Sequence, residues 1–261
     1  MWQPENDLKS YFDKEGQANE LEEYLNRIYF EVYEEFHRKT KEHGLMFKLP
    51  LIIVDGMSMR EGALLRRDLG SKGFTISEYS YGYSALPSET TTFRKRLGIP
   101  YVEIKHGKML DLQGFKKPIW ISYPDEILHH AGKIIPPHDA YEKTFSILLK
   151  VVEQVDSGSV TITSDHGYIM VDHTWLVGEK DKRILRSVFG SQRFAKKNDI
   201  DSNTFETLVK APREKGYTLI DENYCYVKGR YSWPVPGYAS AITHGGLSIM
   251  ECLIPIVRMK I

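Results

Sequence analysis

The length, composition and charge of this chain fit a globular protein and exclude several functional classes. It has 261 residues, of which 41% are hydrophobic, enough for one large α/β domain with a substantial core. Lysine plus arginine and aspartate plus glutamate both total 35, so the chain as a whole is not a basic nucleic-acid binder. Its two cysteines are too few for a disulfide framework or a thiolate metal site.

The N-terminal segment carries no targeting signal that we can identify. It lacks the apolar core of a signal peptide, and no stretch approaches the roughly 20 apolar residues of a membrane span. The sequence therefore predicts a soluble, cytoplasmic protein with no membrane partner.

Residues 1–48 predict a helical extension. The spacing predicts one long amphipathic helix, with room for a short helix before it. We expect this helix to pack against the core or to link it to another domain, and the charged run from Glu23 to Glu35 to form a solvated face. The apolar positions at helical spacing are Leu21, Tyr24, Leu25, Ile28, Tyr29 and Val32.

From Leu49 onward, short apolar strands alternate with helical stretches. The segments LPLIIVD, FTISEYSYGYSA, YVEIK, PIWISYP and SVTITSD predict strands, and HDAYEKTFSILLKVVEQVD predicts an amphipathic helix before the last of them. This order predicts an α/β fold with a mostly parallel central sheet and helices on both faces. Towards the C-terminus, YTLIDENYCYVKGRYSW predicts a hairpin that turns at Lys228 and Gly229, followed by a closing segment, LIPIVRM.

Two of the strands end in acidic or histidine residues. LIIVDG ends in Asp55, and TITSDHG places Asp165 and His166 in one turn, which offers the mixed oxygen and nitrogen ligands that Zn²⁺ accepts. Because strand ends of an α/β sheet converge on one crevice, we expect these side chains to lie together. An ordinary turn at Asp55, and a capping Asp165 beside a surface histidine, are the structural alternatives.

Two further motifs supply metal-competent side chains. In PDEILHHAG, Asp125 and His129 are four residues apart, so on a helix both face the same way and can bind one metal ion. In THGG, His244 precedes two glycines that allow close approach to a ligand. A single histidine is more often structural, and His244 gains its interest from the other motifs.

The segment PSETTTFRKRL places several hydroxyl groups before a basic helical stretch. A threonine at a helix N-terminus can be a simple cap, and it can also be a nucleophile, since free N–H groups there attract phosphate. Arg94 lies one turn after Thr90 and could grip phosphate oxygens. Spacing alone does not choose among Ser88, Thr90 and the threonines that follow.

The order of these motifs resembles the alkaline phosphatase superfamily. Within it, VDGMSMREG, LPSETTTFR and THGGLSIMECLIPIV most resemble the PglZ domain, found in phage-defence and signalling proteins. The resemblance runs from about Leu49 to Ile261. It implies a domain over residues 49–261, an alkaline phosphatase-like fold with a small cap insertion at 170–215, and partner proteins of a defence or signalling system.

The resemblance also implies two divalent metal ions, Zn²⁺ in the first instance and Mn²⁺ as the alternative. Thr90 becomes the nucleophile, which attacks phosphorus in line and forms a phosphothreonine that water later hydrolyses, while Arg94 holds phosphate oxygens. Asp125, His129 and His244 are assigned to one ion, and Asp55, Asp165, His166 and the Thr90 oxygen to the other.

The implied substrate is a phosphodiester of the nucleotide or oligonucleotide class. Phe93 stands where the nucleotide pyrophosphatase branch has asparagine, so substrate choice cannot be transferred from that branch. The cap candidate could contact phosphates and stack a base on Phe194, or form a solvated surface. A phosphomonoesterase and a non-catalytic adaptor remain as alternatives, whereas a phosphomutase needs a large inserted domain for which there is no room. The basic residues of the cap candidate are Arg183, Arg186, Arg193, Lys196 and Lys197.

Overall fold

A computed structural model of the chain describes residues 7–28, 31–42, 47, 49–105, 116–128, 135–155, 158–206, 216–236 and 240–261. The helices described there are α1 Leu8–Phe12, α2 Glu15–Ile28, α3 Val32–Glu42, α4 Met59–Ser71, α5 Thr90–Leu97, α6 Tyr123–Leu128, α7 Pro137–Val152, α8 Glu179–Phe189 and α9 Ile249–Cys252. The strands are β1 Leu51–Val54, β2 Thr75–Tyr83, β3 Val102–Ile104, β4 Ile119–Ile121, β5 Ser159–Thr163, β6 Ile169–Met170, β7 Trp175–Leu176, β8 Phe194–Lys196, β9 Thr218–Ile220, β10 Tyr224–Val227, β11 Tyr231–Ser232, β12 Ile242–Thr243 and β13 Leu253–Lys260.

A six-stranded sheet in the order β2-β13-β5-β1-β4-β3 forms the centre of the fold. Strands β5, β1, β4 and β3 pair in parallel, and β13 runs antiparallel to both of its neighbours, β5 and β2. All four residues of β1 are buried, as the uninterrupted apolar run LIIV requires of a strand covered on both faces. The predicted α/β fold with a mostly parallel sheet is confirmed.

Helices cover both faces of this sheet. On one face, Leu65 of α4 and Leu148 of α7 join a cluster with Ile52 and Val54. On the other face, Phe93 of α5 packs with Ile53 and its sheet neighbours. Alternate residues of β1 thus serve opposite layers, which follows from the two-residue period of a strand.

The N-terminal segment differs from the single long helix that the spacing predicts. Helix α2 ends at Ile28 and a separate helix, α3, begins at Val32. The predicted apolar face of α2 is also wrong, because Leu21, Tyr24 and Ile28 are 40%, 50% and 54% exposed. The buried side chains of α2 are instead Glu15, Ala18 and Glu22. Tyr29, which was also assigned to the apolar face, lies outside the described residues.

The C-terminal part contains a second, smaller sheet in the order β8-β10-β9. Its hairpin joins β9 to β10 and turns at Asp221, whose Oδ1 accepts hydrogen bonds from the backbone N–H groups of Asn223 and Tyr224, both at 2.8 Å. The predicted turn at Lys228 and Gly229 is therefore wrong. An aspartate side chain that accepts hydrogen bonds from the backbone N–H groups two and three residues later stabilises a turn at its own position. Among the described residues no helix is both long and apolar enough to cross a bilayer.

Candidate active site

Three neighbouring parallel strands bring the acidic motifs to one edge of the sheet. Loop A (residues 55–58) follows β1, and loop B (residues 164–168) follows β5. Asp125 lies in α6, directly after β4. Loop C (residues 244–248) follows β12 and completes the crevice. Because β5, β1 and β4 are adjacent and parallel, their carboxyl ends open on the same side.

The ligand atoms of these residues converge in two overlapping groups. Asp55, Asp165 and His166 form one group and Asp125, His166 and His244 the other, with the atoms of each group within 4.8 Å of one another. His166 Nε2 lies 3.4 Å from Asp165 Oδ2 and 3.8 Å from Asp55 Oδ1. The structure thus brings together five of the predicted metal ligands. Thr90 is the sixth predicted ligand, and His129, the seventh, lies outside the described residues.

Both histidines present Nε2 to the crevice. The Nδ1 atom of His166 lies 3.0 Å from the Gly167 carbonyl oxygen, and Nδ1 of His244 lies 3.1 Å from that of Ser88. A carbonyl oxygen only accepts, so each Nδ1 carries a proton, and in the neutral imidazole the lone pair lies on Nε2. The two rings are stacked with centroids 4.0 Å apart. This orientation is the one that metal-binding histidines adopt.

Thr90 is the hydroxyl residue that reaches this cluster. It is the first residue of α5, and its Oγ1 lies 3.0 Å from Asp55 Oδ1 and 3.2 Å from His166 Nε2. Thr91 is exposed. Ser88 Oγ instead donates a hydrogen bond of 2.8 Å to the Gly246 carbonyl, which ties loop C to the start of α5.

Asp55 is buried beside two other carboxyl groups, an arrangement that a bound cation would stabilise. Burial raises its pKa well above the ordinary value, and the negative charges of Asp165 and Asp125 raise it further, against hydrogen bonds from Trp120 and Thr90. Trp120 Nε1 donates to Asp55 Oδ2 at 2.9 Å. Several carboxylates in one buried crevice repel one another, and a divalent cation reverses that repulsion. The donor set of carboxylates and neutral imidazoles fits Zn²⁺ or Mn²⁺.

Loop A also depends on a glycine for its close approach to the crevice. Gly56 has φ of 69°, and a Cβ there would lie 3.2 Å from Asp125 Oδ1. Its N–H donates to Asp165 Oδ1 at 2.9 Å. The backbone of loop A thereby orients one carboxylate and leaves room for another.

Arg94 lies beside the cluster and already has a partner. Its Nη2 is 2.6 Å from Glu103 Oε1, and its guanidinium lies over the Trp120 ring, 4.4 Å from the centroid. Its predicted contact with phosphate oxygens remains a prediction.

The basic side chains of the cap candidate serve different purposes. Arg193 is buried and donates to Glu251 Oε1 at 2.7 Å, so it fixes loop C rather than facing substrate. The ring of Phe194 packs against Gly245, so closely that a Cβ on Gly245 would lie 2.8 Å from it. Arg186 donates to the Pro234 carbonyl at 2.6 Å, whereas Arg183 and Lys196 are exposed.

Three features that orient the ligands were not among the predicted site residues. Trp120 is one, and nothing in its local sequence indicates a contact with Asp55. The other two are capping boxes, in which Ser58 and Glu61 start α4 and Ser248 and Glu251 start α9. Their S-x-x-E spacing, directly after the DG and HGG motifs, is a signal that could have identified them.

Comparisons with known proteins identify a family for this chain. The family model described as "BREX system PglZ alkaline phosphatase-like domain" matches residues 127–259. An alkaline phosphatase-like protein PglZ from Bacillus cereus is 27% identical over 139 residues, which are 50% of this chain and 16% of that protein. The chain thus spans only a small part of the length of the curated relative it matches.

Solved structures show weaker likeness. Phosphonoacetate hydrolase from Sinorhizobium meliloti is 12% identical with a TM-score of 0.30, covering 55% of this chain and 46% of its own. Human ectonucleotide pyrophosphatase/phosphodiesterase 5 is 15% identical with a TM-score of 0.31, covering 67% and 53%. The family match spans about half of the chain and contains the second half of the site motifs, and the chain belongs to the PglZ alkaline phosphatase-like family.

Proposed function

We propose that this chain is a metal-dependent phosphoric ester hydrolase that uses Thr90 as its nucleophile and favours phosphodiesters. The observation that carries the proposal is the position of Thr90 Oγ1, within 3.0 Å of Asp55 Oδ1 and 3.2 Å of His166 Nε2 at the start of α5. A hydroxyl at that point faces the cluster of ligands and the free N–H groups of a helix N-terminus.

The residues of the site have separate roles in the proposed hydrolysis. Two bound divalent ions, held by Asp55, Asp165 and His166 and by Asp125, His129 and His244, would neutralise the charge that develops on the phosphoryl oxygens. Thr90 Oγ1 forms a bond to phosphorus as the bond to the leaving oxygen breaks, and Asp55 Oδ1 is within reach of the hydroxyl proton. Water then cleaves the phosphothreonine, which restores the hydroxyl and releases phosphate or its remaining ester.

The surroundings of Arg94 favour a diester over a monoester. A monoester carries about one more negative charge at neutral pH, and its terminal oxygens need an additional cation. Arg94 follows Thr90 by one helical turn, yet it is engaged by Glu103 at 2.6 Å and by the Trp120 ring. A singly charged diester needs less charge compensation, so Arg94 can remain paired with Glu103.

The natural setting follows from the family description. The PglZ family is described as part of the BREX system, and we extend to this chain partner proteins of a defence or signalling system and nucleotide or oligonucleotide substrates. In this proposal residues 49–261 form the hydrolase domain and 170–215 its small cap. Arg183 and Lys196, which are exposed, are the cap residues open to substrate phosphates.

A pair of threonine variants tests the nucleophile. After loading with Zn²⁺ or Mn²⁺, hydrolysis of bis-p-nitrophenyl phosphate and p-nitrophenyl phosphate is compared for Thr90→Ala and Thr91→Ala. We expect Thr90→Ala to lose diester hydrolysis while keeping its fold, and the exposed Thr91→Ala to match the unaltered protein.

Each alternative gives a different result. Activity in Thr90→Ala together with inactivity in Thr91→Ala shifts the nucleophile by one residue. Preference for the monoester replaces the phosphodiesterase by a phosphomonoesterase. Absence of hydrolysis of either ester by the metal-loaded protein favours a non-catalytic binding module.

A further inference from the structure

The strongest further feature is a buried ion network that joins the N-terminal helix α2 to the loops of the active site. It consists of Glu15, Glu22, Arg60 and Arg230, which we call the buried clamp. All four side chains are at most 2% exposed. Two carboxylates and two guanidinium groups balance in charge, as burial requires.

Through Arg60, the clamp reaches two ligand loops at once. Glu15 Oε2 lies 2.5 Å from Arg60 Nη1. The same guanidinium donates from Nε to Ser58 Oγ in loop A at 2.9 Å and from Nη2 to the Tyr168 carbonyl in loop B at 2.5 Å. Ser58 follows Asp55 by three residues, and Tyr168 follows His166 by two. One guanidinium, anchored by α2, therefore links the two loops that carry three of the predicted ligands, Asp55, Asp165 and His166.

Through Glu22, the clamp reaches loop C. Glu22 Oε1 accepts a hydrogen bond of 2.9 Å from the N–H of Ile249, the first residue of α9. The same helix turn contains Glu251, which accepts from the N–H of Gly246 at 2.9 Å. Gly246 lies two residues after His244. The second arm of the clamp therefore ends at the loop that carries the His244 ligand.

Arg230 connects the two arms. Its Nη1 lies 2.6 Å from Glu15 Oε1, and its Nε lies 2.9 Å from Glu22 Oε2. The spacing of the two carboxylates along α2 is thus matched to one fixed guanidinium. Sliding or rotation of α2 would break its contacts to Arg60 and to the Ile249 N–H, through which it reaches the three loops.

The clamp, rather than apolar packing, sets the orientation of α2. Leu21, Tyr24 and Ile28 face outward, whereas the neighbouring helices are attached by apolar side chains, Tyr11 of α1 and Tyr33 of α3 among them. A buried ion network adds little net stability compared with apolar packing of the same volume. Its effect is therefore on geometry.

We propose that Glu15 and Glu22 are positioning residues for the metal site, and that the N-terminal helices are an integral part of it. The inference rests on the proposed metal-dependent function. It assigns to α2 the role of fixing loops A, B and C relative to one another. Groups hydrogen-bonded directly to metal ligands commonly change metal affinity about 10- to 100-fold when they are removed. Glu15 and Glu22 act through Arg60 and Ile249 instead, so we expect a smaller effect, about three- to tenfold.

The test measures Zn²⁺ affinity by competition with a chromophoric chelator, using the full chain. Glu15→Gln and Glu22→Gln should each bind Zn²⁺ about three- to tenfold more weakly than the unaltered chain, with a retained far-ultraviolet circular dichroism spectrum. Glu35→Gln is the matched control, because Glu35 forms an exposed ion pair with Arg38 on α3. Zn²⁺ affinities of both clamp variants equal to that of the control would overturn the proposal.

If a clamp variant does not fold, hydrogen exchange of the unaltered chain tests the same proposal. Coupling between sites is reciprocal, so Zn²⁺ binding to the unaltered chain should slow amide hydrogen exchange in α2 as well as in the three loops. Exchange in α2 that does not respond to bound Zn²⁺, or a chain that binds no Zn²⁺, contradicts the proposal. A chain that binds Zn²⁺ with the expected dependence on Glu15 but hydrolyses no ester refutes only the proposed function.

Discussion

Replacing Trp120 by phenylalanine should weaken metal binding more than it weakens the fold. Trp120 is fully buried and donates from Nε1 to Asp55 Oδ2 at 2.9 Å. Phenylalanine keeps an aromatic ring against Phe93 and Tyr101, whose centroids lie 6.0 and 5.3 Å from that of Trp120. The substitution therefore removes the hydrogen bond to Asp55, together with part of the ring surface that the Arg94 guanidinium covers.

The magnitude depends on the protonation state of Asp55. Burial and the neighbouring carboxylates raise the pKa of Asp55, which makes its protonated form more accessible in the metal-free protein, and a hydrogen bond to that neutral form contributes about 1 kcal/mol. A metal ion requires the carboxylate, for which such a bond contributes about 1.5 to 3 kcal/mol. The difference, on the order of 1.4 kcal/mol, corresponds to an approximately tenfold loss of Zn²⁺ affinity in Trp120→Phe.

Trp233→Phe supplies the matched control. Trp233 Nε1 donates to a neutral carbonyl oxygen, that of Gly190, at 2.9 Å, and the residue is part of neither ligand group. Urea unfolding with a chelator present should show a loss of about 1 kcal/mol for both variants, before any cost of the smaller ring. Only Trp120→Phe should also lose Zn²⁺ affinity in a chelator competition. Equal Zn²⁺ affinities for the two variants would refute this account of Asp55.

Two other perturbations test the same crevice. In the metal-free protein the folded pKa of Asp55 lies above its unfolded value, so the folded state holds the extra proton and stability falls as pH rises through the folded pKa. Chelation should therefore lower the melting temperature more at about pH 8 than at about pH 5, and a larger effect at the lower pH would contradict the sign of this shift. Gly167→Ala places a methyl group against the Met250 carbonyl oxygen, and we expect a loss of about 1 to 3 kcal/mol in the free energy of unfolding, measured in urea. A variant as stable as the unaltered protein would show that loop B yields at no cost.

The convergence of the ligands follows from topology, which the strand pattern makes visible. Parallel strands place their carboxyl ends on one side, so an acidic residue after β1 and an Asp-His pair after β5 had to meet once those strands became neighbours. The sequence does not state the strand order itself. Nor does it reveal Trp120, which reaches Asp55 from the strand on the other side of β1.

The hairpin shows where a local signal misled the prediction. Lys228-Gly229 resembles a two-residue turn, and Gly229 does adopt a positive φ of 49°. The pairing strands nevertheless turn at Asp221, whose carboxylate also lies 2.9 Å from Lys41 Nζ and 3.0 Å from His37 Nε2 in α3. The tertiary contacts add to the local turn chemistry of the aspartate. Contacts with Lys41 and His37, far away in the sequence, therefore favour the turn at Asp221 over one at Lys228-Gly229.

The orientation of α2 could not be predicted from the spacing of its apolar residues, because ion pairs contribute more free energy than those residues do. Leu21, Tyr24 and Ile28 are about half exposed, so turning that face inward would gain roughly 1 kcal/mol for each side chain. The same rotation would remove the carboxylates from Arg60 and Arg230, and each buried guanidinium without its partner costs about 3 to 5 kcal/mol. Ion pairing therefore prevails over the apolar stripe. Glu15 lies 45 positions before one of these arginines and 215 before the other, so no window of local sequence contains the interaction that orients the helix.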